Sequence, residues 1–484
     1  FRCRRRENQG EYGHLSPGLM MRIALVNTNG IRPPIAPIGL EYMAEALSAA
    51  DHSVEVLDLC WEPSWEAAVE RFFSGKEFGL VGLSIRNTDD CSFSSRESFL
   101  PGHAGITKSV REHSGAPVVL GGVGFSIMPE EVLERCGADI GIWGDGEFAL
   151  ADLATRMDEK RNWEDVPNLI LCRGDKWMRN PASFPPLSSL PAMRRTWVDN
   201  PRYFREGGQA GFETKRGCPC RCVYCADPVA KGKTTRLRPP AAVADELARL
   251  LAQGIDHIHT CDSEFNVPES HAIEICDEIV RRGLGERLRW YAYCSPGPFS
   301  PGLAKRMRRA GCVGINFGVD SGDEGMLRSL RRDFGPEDIL RSARSCKEAG
   351  ITVMFDLLLG SPGETRESVV RTIDLVRKAG PDRAGIAVGV RVYPGTEVAG
   401  IVAREDRKGG LTGGDDLSLP VFFLEPEVAP FLFGLLDDLT RDDSRFLFFD
   451  PARPHSNYNY NANQVLVDAI AKGARGAYWD ILRS

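Results

Sequence analysis

No stretch of the 484-residue sequence approaches the roughly eighteen consecutive apolar residues of a membrane-spanning helix, so an integral membrane protein of that kind is excluded. A basic surplus is missing too: 60 Lys and Arg stand against 67 Asp and Glu, a formal net charge of -7, which argues against a generally basic nucleic-acid binder. The first twenty residues, FRCRRRENQGEYGHLSPGLM, start basic but lack the apolar segment of a secretory signal. Residues 1–20 read instead as a disordered extension, with Met20 or Met21 as the natural beginning. The cysteines do not form the framework of a small disulfide scaffold. Ten of the fourteen stand singly in helix-like or strand-like segments, the usage expected of a reducing cytoplasm.

What is present is a length suited to two or three domains and two series of alternating apolar runs and helical periods. Residues 21–160 run RIALVNT, PIGLEYMAEALSAA, HSVEVLDL, FGLVGLSI, APVVLGG, the pattern of a parallel sheet covered on both faces. This predicts a doubly wound, Rossmann-like α/β domain whose ligand lies beyond the carboxyl ends of its strands. The loops to inspect are therefore 28–37, 86–92, 121–126 and 144–147. Residues 161–205, rich in Pro, Asn, Arg and Trp, read as a linker. Residues 206–400 supply about six β/α units, a partial (β/α)6 barrel with one side open to a large substrate or a second domain. Past residue 400 the pattern weakens, and residues 401–484 read as a small, mostly helical cap.

Four cysteines crowd into RGCPCRCVYCA at 216–226. Cys218, Cys222 and Cys225 form Cys-x3-Cys-x2-Cys just after the first barrel strand, and soft thiolates so spaced select zinc or an iron–sulfur cluster. A zinc site would need Cys220 as its fourth ligand, but zinc pairs are normally followed by a second pair well downstream, and none follows. Three ligands suit a cubane cluster that keeps one iron open, which leaves Cys220 a bystander.

The motif, with Tyr224 before its last cysteine, resembles the signature of the radical S-adenosylmethionine (SAM) enzymes. Further stretches resemble that family in order: CDSEFN at 261–266, GVDSGDEGML at 318–327, LLGSPGET at 358–365 and RVYPGTEV at 391–398. The resemblance implies a [4Fe-4S] cluster on Cys218, Cys222 and Cys225, with SAM on the open iron. It also places Tyr224 near the adenine, and Asp320 and Ser321 at the SAM ribose or amino-acid end, where the family often has Glu-Ser. Gly360 falls in another of these strand-end stretches. Asp262, Glu264 and Tyr293 stand at barrel strand ends as catalytic candidates, Asp262 or Glu264 as a base, a SAM contact or merely a helix cap. Asp356, Arg391 and Tyr393 are further polar candidates, and Tyr458 and Tyr460 of the tail read as packing residues.

Residues 36–47, 118–133 and 139–150 resemble the cobalamin-binding domain often fused ahead of such barrels. Gly121, Gly122, Gly124, Ser126, Gly144 and Glu147 are the corresponding contacts. The Asp-x-His-x-x-Gly motif of the cobalamin mutases is absent, so no histidine is expected to ligate cobalt. Arg86, with Asn87 beside it, is the candidate for the lower face of the cofactor, by resemblance to the tryptophan-2-methylating branch, in which an arginine lies under cobalt without coordinating it. The competing reading pairs Arg86 with Asp89 or Asp90.

The resemblance implies a cytoplasmic methyltransferase that passes the SAM methyl group through methylcobalamin to a carbon or phosphorus of a small metabolite. It would draw electrons from a flavodoxin- or ferredoxin-type donor and use neither nucleic acid nor membrane as partner. The alternatives are an oxidase, cyclase or ring-rearranging enzyme with the same cofactors, and a non-catalytic cobalamin or iron–sulfur sensor.

Overall fold

The strand Arg22–Asn27 is buried along nearly its whole length, and its alternate residues serve opposite faces of one sheet. Ile23 and Leu25 pack into one core cluster, and Ala24 and Val26 into another, as expected of a parallel sheet sandwiched between helices. The computed structural model describes residues 20–174, 176–405 and 407–483, so the extension expected over residues 1–20 lies, Met20 apart, outside the described residues. The first sheet has the order Ser53–Asp58, Arg22–Asn27, Leu80–Ser84, Val118–Gly121, Ile140–Ile142, Leu169–Arg173, Lys176–Arg179. Its first five strands are parallel.

The last two strands are a correction to the linker reading. Leu169–Arg173 pairs antiparallel with Ile140–Ile142 and Lys176–Arg179 antiparallel with Leu169–Arg173, so part of the 161–205 segment completes the first sheet. Leu169, Ile170 and Leu171 supply a three-residue apolar run too short to show a period, and they are buried against the edge they cover.

The second sheet is parallel throughout, in the order Ala210–Phe212, His257–Thr260, Arg289–Cys294, Cys312–Asp320, Thr352–Leu359, Arg383–Val388, Phe446–Phe448. The first six correspond to the six β/α units in the sequence. The seventh comes from the C-terminal segment, whose helices Leu432–Thr440, Gln464–Ala471 and Tyr478–Ile481 form the cap. Ile258, Trp290, Ala292, Ile315, Phe317, Phe355 and Leu357 pack outward under the barrel helices. Their sequence neighbours His259, Tyr291, Tyr293, Asn316 and Asp356 therefore face the barrel interior.

A buried charge network fastens one domain to the other. Arg195 bonds Glu41 of the helix Ile38–Ala49 at 2.7 Å and Glu246 of the barrel helix Pro240–Ala252 at 2.8 Å, with all three side chains at most 1% exposed. Arg238 takes the other Glu246 oxygen at 2.7 Å and also bonds the Tyr42 hydroxyl. Two cations offset two carboxylates, so the network is neutral. Burial alone would push Glu246 up, but Arg238 and Arg195 outweigh it and hold the carboxyl below its usual range.

Candidate active site at the junction of the two sheets

The cysteine loop leaves the short strand Lys215–Arg216, which forms a hairpin with Arg236–Leu237. Asp262 anchors this entry. Its carboxylate accepts bonds from Thr214 N at 2.7 Å, Thr214 Oγ1 at 2.6 Å and Lys215 N at 3.2 Å. With its acceptor capacity spent on the loop, Asp262 holds backbone and is not placed as a base.

The loop then docks on the end of the strand Cys312–Asp320 through Arg332, to which the sequence reading assigned no role. Arg332 contacts Cys222 Sγ at 2.8 Å, Gly318 O at 2.7 Å, Asp320 at 3.2 Å and Glu264 at 3.7 Å. The Tyr224 hydroxyl donates to Asp320 Oδ2 at 2.7 Å, so the two residues meet. Asp320 sits in the left-handed region at φ 60°, where the ladder register shifts after Gly318; such a backbone costs on the order of 1–3 kcal/mol and is held here by Tyr224 and Arg332. Ser321 turns the other way: its hydroxyl lies 3.0 Å from Thr372 Oγ1 and receives the Asp323 N–H, so it braces the helix Arg366–Ala379 instead of facing the site.

Glu264 lies in the same recess. Burial raises its carboxyl to about 8, Arg332 opposes this, and Cys218 and Asp320 add to it. Near neutral pH it therefore presents a proton and no second negative charge beside the thiols. Gly360 (φ 89°) turns the next strand-end loop, donating to Glu364 and accepting from Glu425 N, and beside it the buried Ser361 hydroxyl has no partner among the described residues.

The first domain meets this loop directly. Its short helix Val123–Ile127 packs on Asp227–Lys231, the helix that follows the cysteines. A Cβ on Gly122 would come within 2.5 Å of Ile85 O, and one on Gly124 within 2.9 Å of Arg86 O. Both glycines thus let the 121–126 turn press on the Arg86 loop, a role apart from touching a cofactor. Gly121 has ordinary clearance, its Cβ position 3.5 Å from Ile142 O. Ser126 Oγ bridges Gly122 O and Gly144 N, tying two of the inspected loops together. Glu147 is not free for a ligand, because it pairs with Arg216 at 2.6 Å, next to the cysteine loop.

Arg86 bonds the Asn87 side chain at 2.9 Å, and no carboxylate pairs with it among the described residues. Asp89 is taken by Arg391, both side chains almost fully buried, and Asp90 by Ser92 N, Ser95 and Glu97 N, so the ion-pair reading of Arg86 does not hold. The Arg86 charge instead reaches the Tyr293 and Tyr478 hydroxyls. Tyr293 is 44% exposed, and desolvation raises its hydroxyl well above the usual value.

Two family models match the chain: the B12 binding domain over residues 25–154 and the Radical SAM superfamily over residues 212–376. The tryptophan 2-C-methyltransferase of Streptomyces laurentii is 33% identical, with 77% of this chain and 73% of that enzyme aligned. The chain belongs to the cobalamin-dependent radical SAM methyltransferases. The solved structure of TsrM from Kitasatospora setae, a radical SAM methyltransferase with tryptophan substrate and the SAM analogue aza-SAM bound, superposes with a TM-score of 0.87 at 32% identity, covering 96% of this chain and 97% of that one. A second TsrM structure, with cobalamin and a [4Fe-4S] cluster bound, gives 0.86. OxsB, at 15% identity and a TM-score of 0.71, shares the fold.

The residues of this methyltransferase fit the family's cofactors. Three soft thiols lie on one loop, the donor set of a cubane cluster that keeps one iron open, and no second cysteine pair follows downstream to complete a zinc site. At the carboxyl edge of the first sheet, Asn29 Nδ2 is buried without a partner and Arg86 lacks a counter-ion. On the cluster side, Ser361 Oγ is likewise unsatisfied among the described residues. Polar groups left open at both strand ends suit polar ligands there.

Proposed function

We propose that this methyltransferase acts on a carbon of an aromatic amino acid, with tryptophan as the first candidate, and that its substrate lies in the recess between the cysteine loop and Arg86. The observation that carries this reading is the meeting of the two loops on one desolvated, tyrosine-lined recess, reinforced by the tryptophan named for both similar enzymes. When bound, SAM, the cluster and cobalamin supply the methyl group, electrons and a nucleophilic methyl carrier.

The chain's own residues position and shield these groups. In this reading Cys218, Cys222 and Cys225 hold the cluster, and Tyr224, Asp320 and Arg332 fix the edge of the SAM site. Arg86 and Asn87 would lie against the cobalamin, with no coordinating bond from the guanidinium, which in its charged form has no lone pair to give. Glu264 and Tyr293 each keep a proton at neutral pH and serve as hydrogen-bond donors in a site that excludes bulk water. Electrons come from a low-potential flavodoxin or ferredoxin in the cytoplasm, and neither nucleic acid nor membrane takes part.

The test is mass analysis of the anaerobically reconstituted protein with SAM, a low-potential reductant and a panel of aromatic amino acids. A product heavier by one methylene equivalent, absent in a Cys218→Ala/Cys222→Ala/Cys225→Ala variant that has lost its iron, supports the reading. A product lighter by two hydrogens, or cyclised without added mass, would place the enzyme with oxidases or cyclases.

A further inference from the structure

At this junction buried carboxylates are met by arginines. Asp89 faces Arg391, Glu147 faces Arg216, Asp320 faces Arg332, and Glu246 faces Arg195 and Arg238. Asp356, inside the barrel on the strand Thr352–Leu359, has no cationic partner among the described residues. Asn316 Nδ2 donates to its Oδ2 at 2.8 Å, and the Tyr458 hydroxyl to its Oδ1 at 3.3 Å. A carboxylate accepts about four hydrogen bonds, so roughly half its capacity is unused.

The first of these bonds fixes the Asn316 amide, because the donor must face the carboxylate. Its Oδ1 is then a buried acceptor without a partner, on a side chain only 4% exposed. Two strands away, His259 is a further acceptor of the barrel interior, beside Tyr293. Its Nδ1–H meets Thr260 O at 2.8 Å, and burial lowers the ring to about 4, so Nε2 carries a lone pair at neutral pH. The His259 ring lies tilted by 46°, its centroid 4.7 Å from that of Tyr293, the exposed aromatic wall. Tyr458 of the tail closes the floor, its ring packed so near the strand Arg383–Val388 that a Cβ on Gly385 would lie 2.5 Å from it.

We infer that Asp356 and Asn316 form a recess that takes the ammonium group of the substrate, while Tyr293 flanks its aromatic ring. The two open acceptor positions of Asp356 and the Asn316 Oδ1 match the three donors of a primary ammonium, the uncompensated carboxylate matches its single charge, and they offer nothing to a substrate carboxylate. Desolvation raises Asp356 to about 6, the mark of a buried anion lacking a counter-charge, which a bound ammonium would supply. The inference rests on the aromatic amino-acid reading and narrows it to substrates with a free amine.

The test is equilibrium dialysis of the reconstituted full chain against ligand pairs that differ in the ammonium: L-tryptophan with indole-3-propionate, L-phenylalanine with 3-phenylpropionate, L-histidine with imidazole-4-propionate. The wild type is expected to prefer the amine-bearing member of a pair at least tenfold, and Asp356→Asn, whose oxygen still accepts from Asn316 while its new N–H donates to the Tyr458 hydroxyl, to erase that preference without weakening the other member. Asn316→Ala, which removes the orphan acceptor together with the bond to Asp356 Oδ2 and leaves the carboxylate in place, should erase part of it and carries the test if Asp356→Asn fails to load iron and cobalt. A preference that survives these substitutions, or losses equal for both members, would overturn the recess even if tryptophan binds. Binding of another pair with the Asp356-dependent preference, but of neither indole, would instead overturn tryptophan and leave the recess standing. Binding of no pair would overturn both.

Discussion

Asp356 and Asp262 show how one residue type at adjacent strand ends acquires opposite roles. Asp262 is consumed by two backbone N–H groups and a hydroxyl, whereas Asp356 keeps lone pairs open to the barrel interior. Burial raises the folded-state carboxyl of Asp356 to about 6, above its ordinary ~3.9. Its contribution to stability is thus fully present below about pH 4 and is lost as pH rises through about 6. Asp356→Asn mimics the protonated form, so the ligand-free variant should gain on the wild type by ~1–2 kcal/mol more near pH 7.5 than near pH 4.5. Urea unfolding at the two pH values checks this, and a gain independent of pH would remove the strain assigned to the carboxylate. From the sequence the three thiols, Tyr224 and Asp320 were legible because a motif's spacing fixes them on one loop and one strand end. Arg332 and Asn316 were not, since their importance comes from contacts across 110 and 40 positions.

At the scale of elements, the strands of both sheets were readable because each is an apolar run bounded by turn residues. The seventh barrel strand, Phe446–Phe448, and the antiparallel strands Leu169–Arg173 and Lys176–Arg179 were not, because runs of three to five residues owe their pairing to the edge they meet. Alternation inside the barrel strands did carry information: the polar positions His259, Tyr293, Asn316 and Asp356 interrupt strands whose other faces are wholly apolar. The cysteine loop is held on its neighbouring strand chiefly by Arg332, whose side chain is 6% exposed. Replacing Arg332 by Met leaves Asp320 without its cation and should cost about 3–5 kcal/mol, the usual penalty for breaking a buried pair. Arg332→Lys should recover the charge but not the forked bonds to Gly318 O and Cys222. Denaturant unfolding of the two variants checks the order; equal stability of Met and Lys would mean that Arg332 acts by packing alone.

The whole molecule joins two α/β domains whose strand ends meet, and the site belongs to neither alone. Neutral buried networks fix that meeting: Glu41, Arg195, Glu246 and Arg238 behind the sheets, Arg391 and Asp89 beside the Arg86 loop, Arg216 and Glu147 beneath the cysteines. Such pairs contribute geometry more than stability, since desolvation offsets much of their attraction. Geometry is what a two-cofactor methyl transfer needs, with donor and acceptor held at fixed distance in a dry recess. The domain order and fold were legible from residue patterns, but the junction was not, because every contact that forms it links residues far apart in the chain.

The most direct measurement incubates the reconstituted protein, with and without cobalamin, with L-tryptophan, reductant and SAM bearing a deuterated methyl group. The account predicts a cobalamin-dependent product that carries the intact deuterated methyl group on carbon, with S-adenosylhomocysteine formed alongside. Product formed equally without cobalamin, or SAM consumed with no label reaching the amino acid, would contradict it.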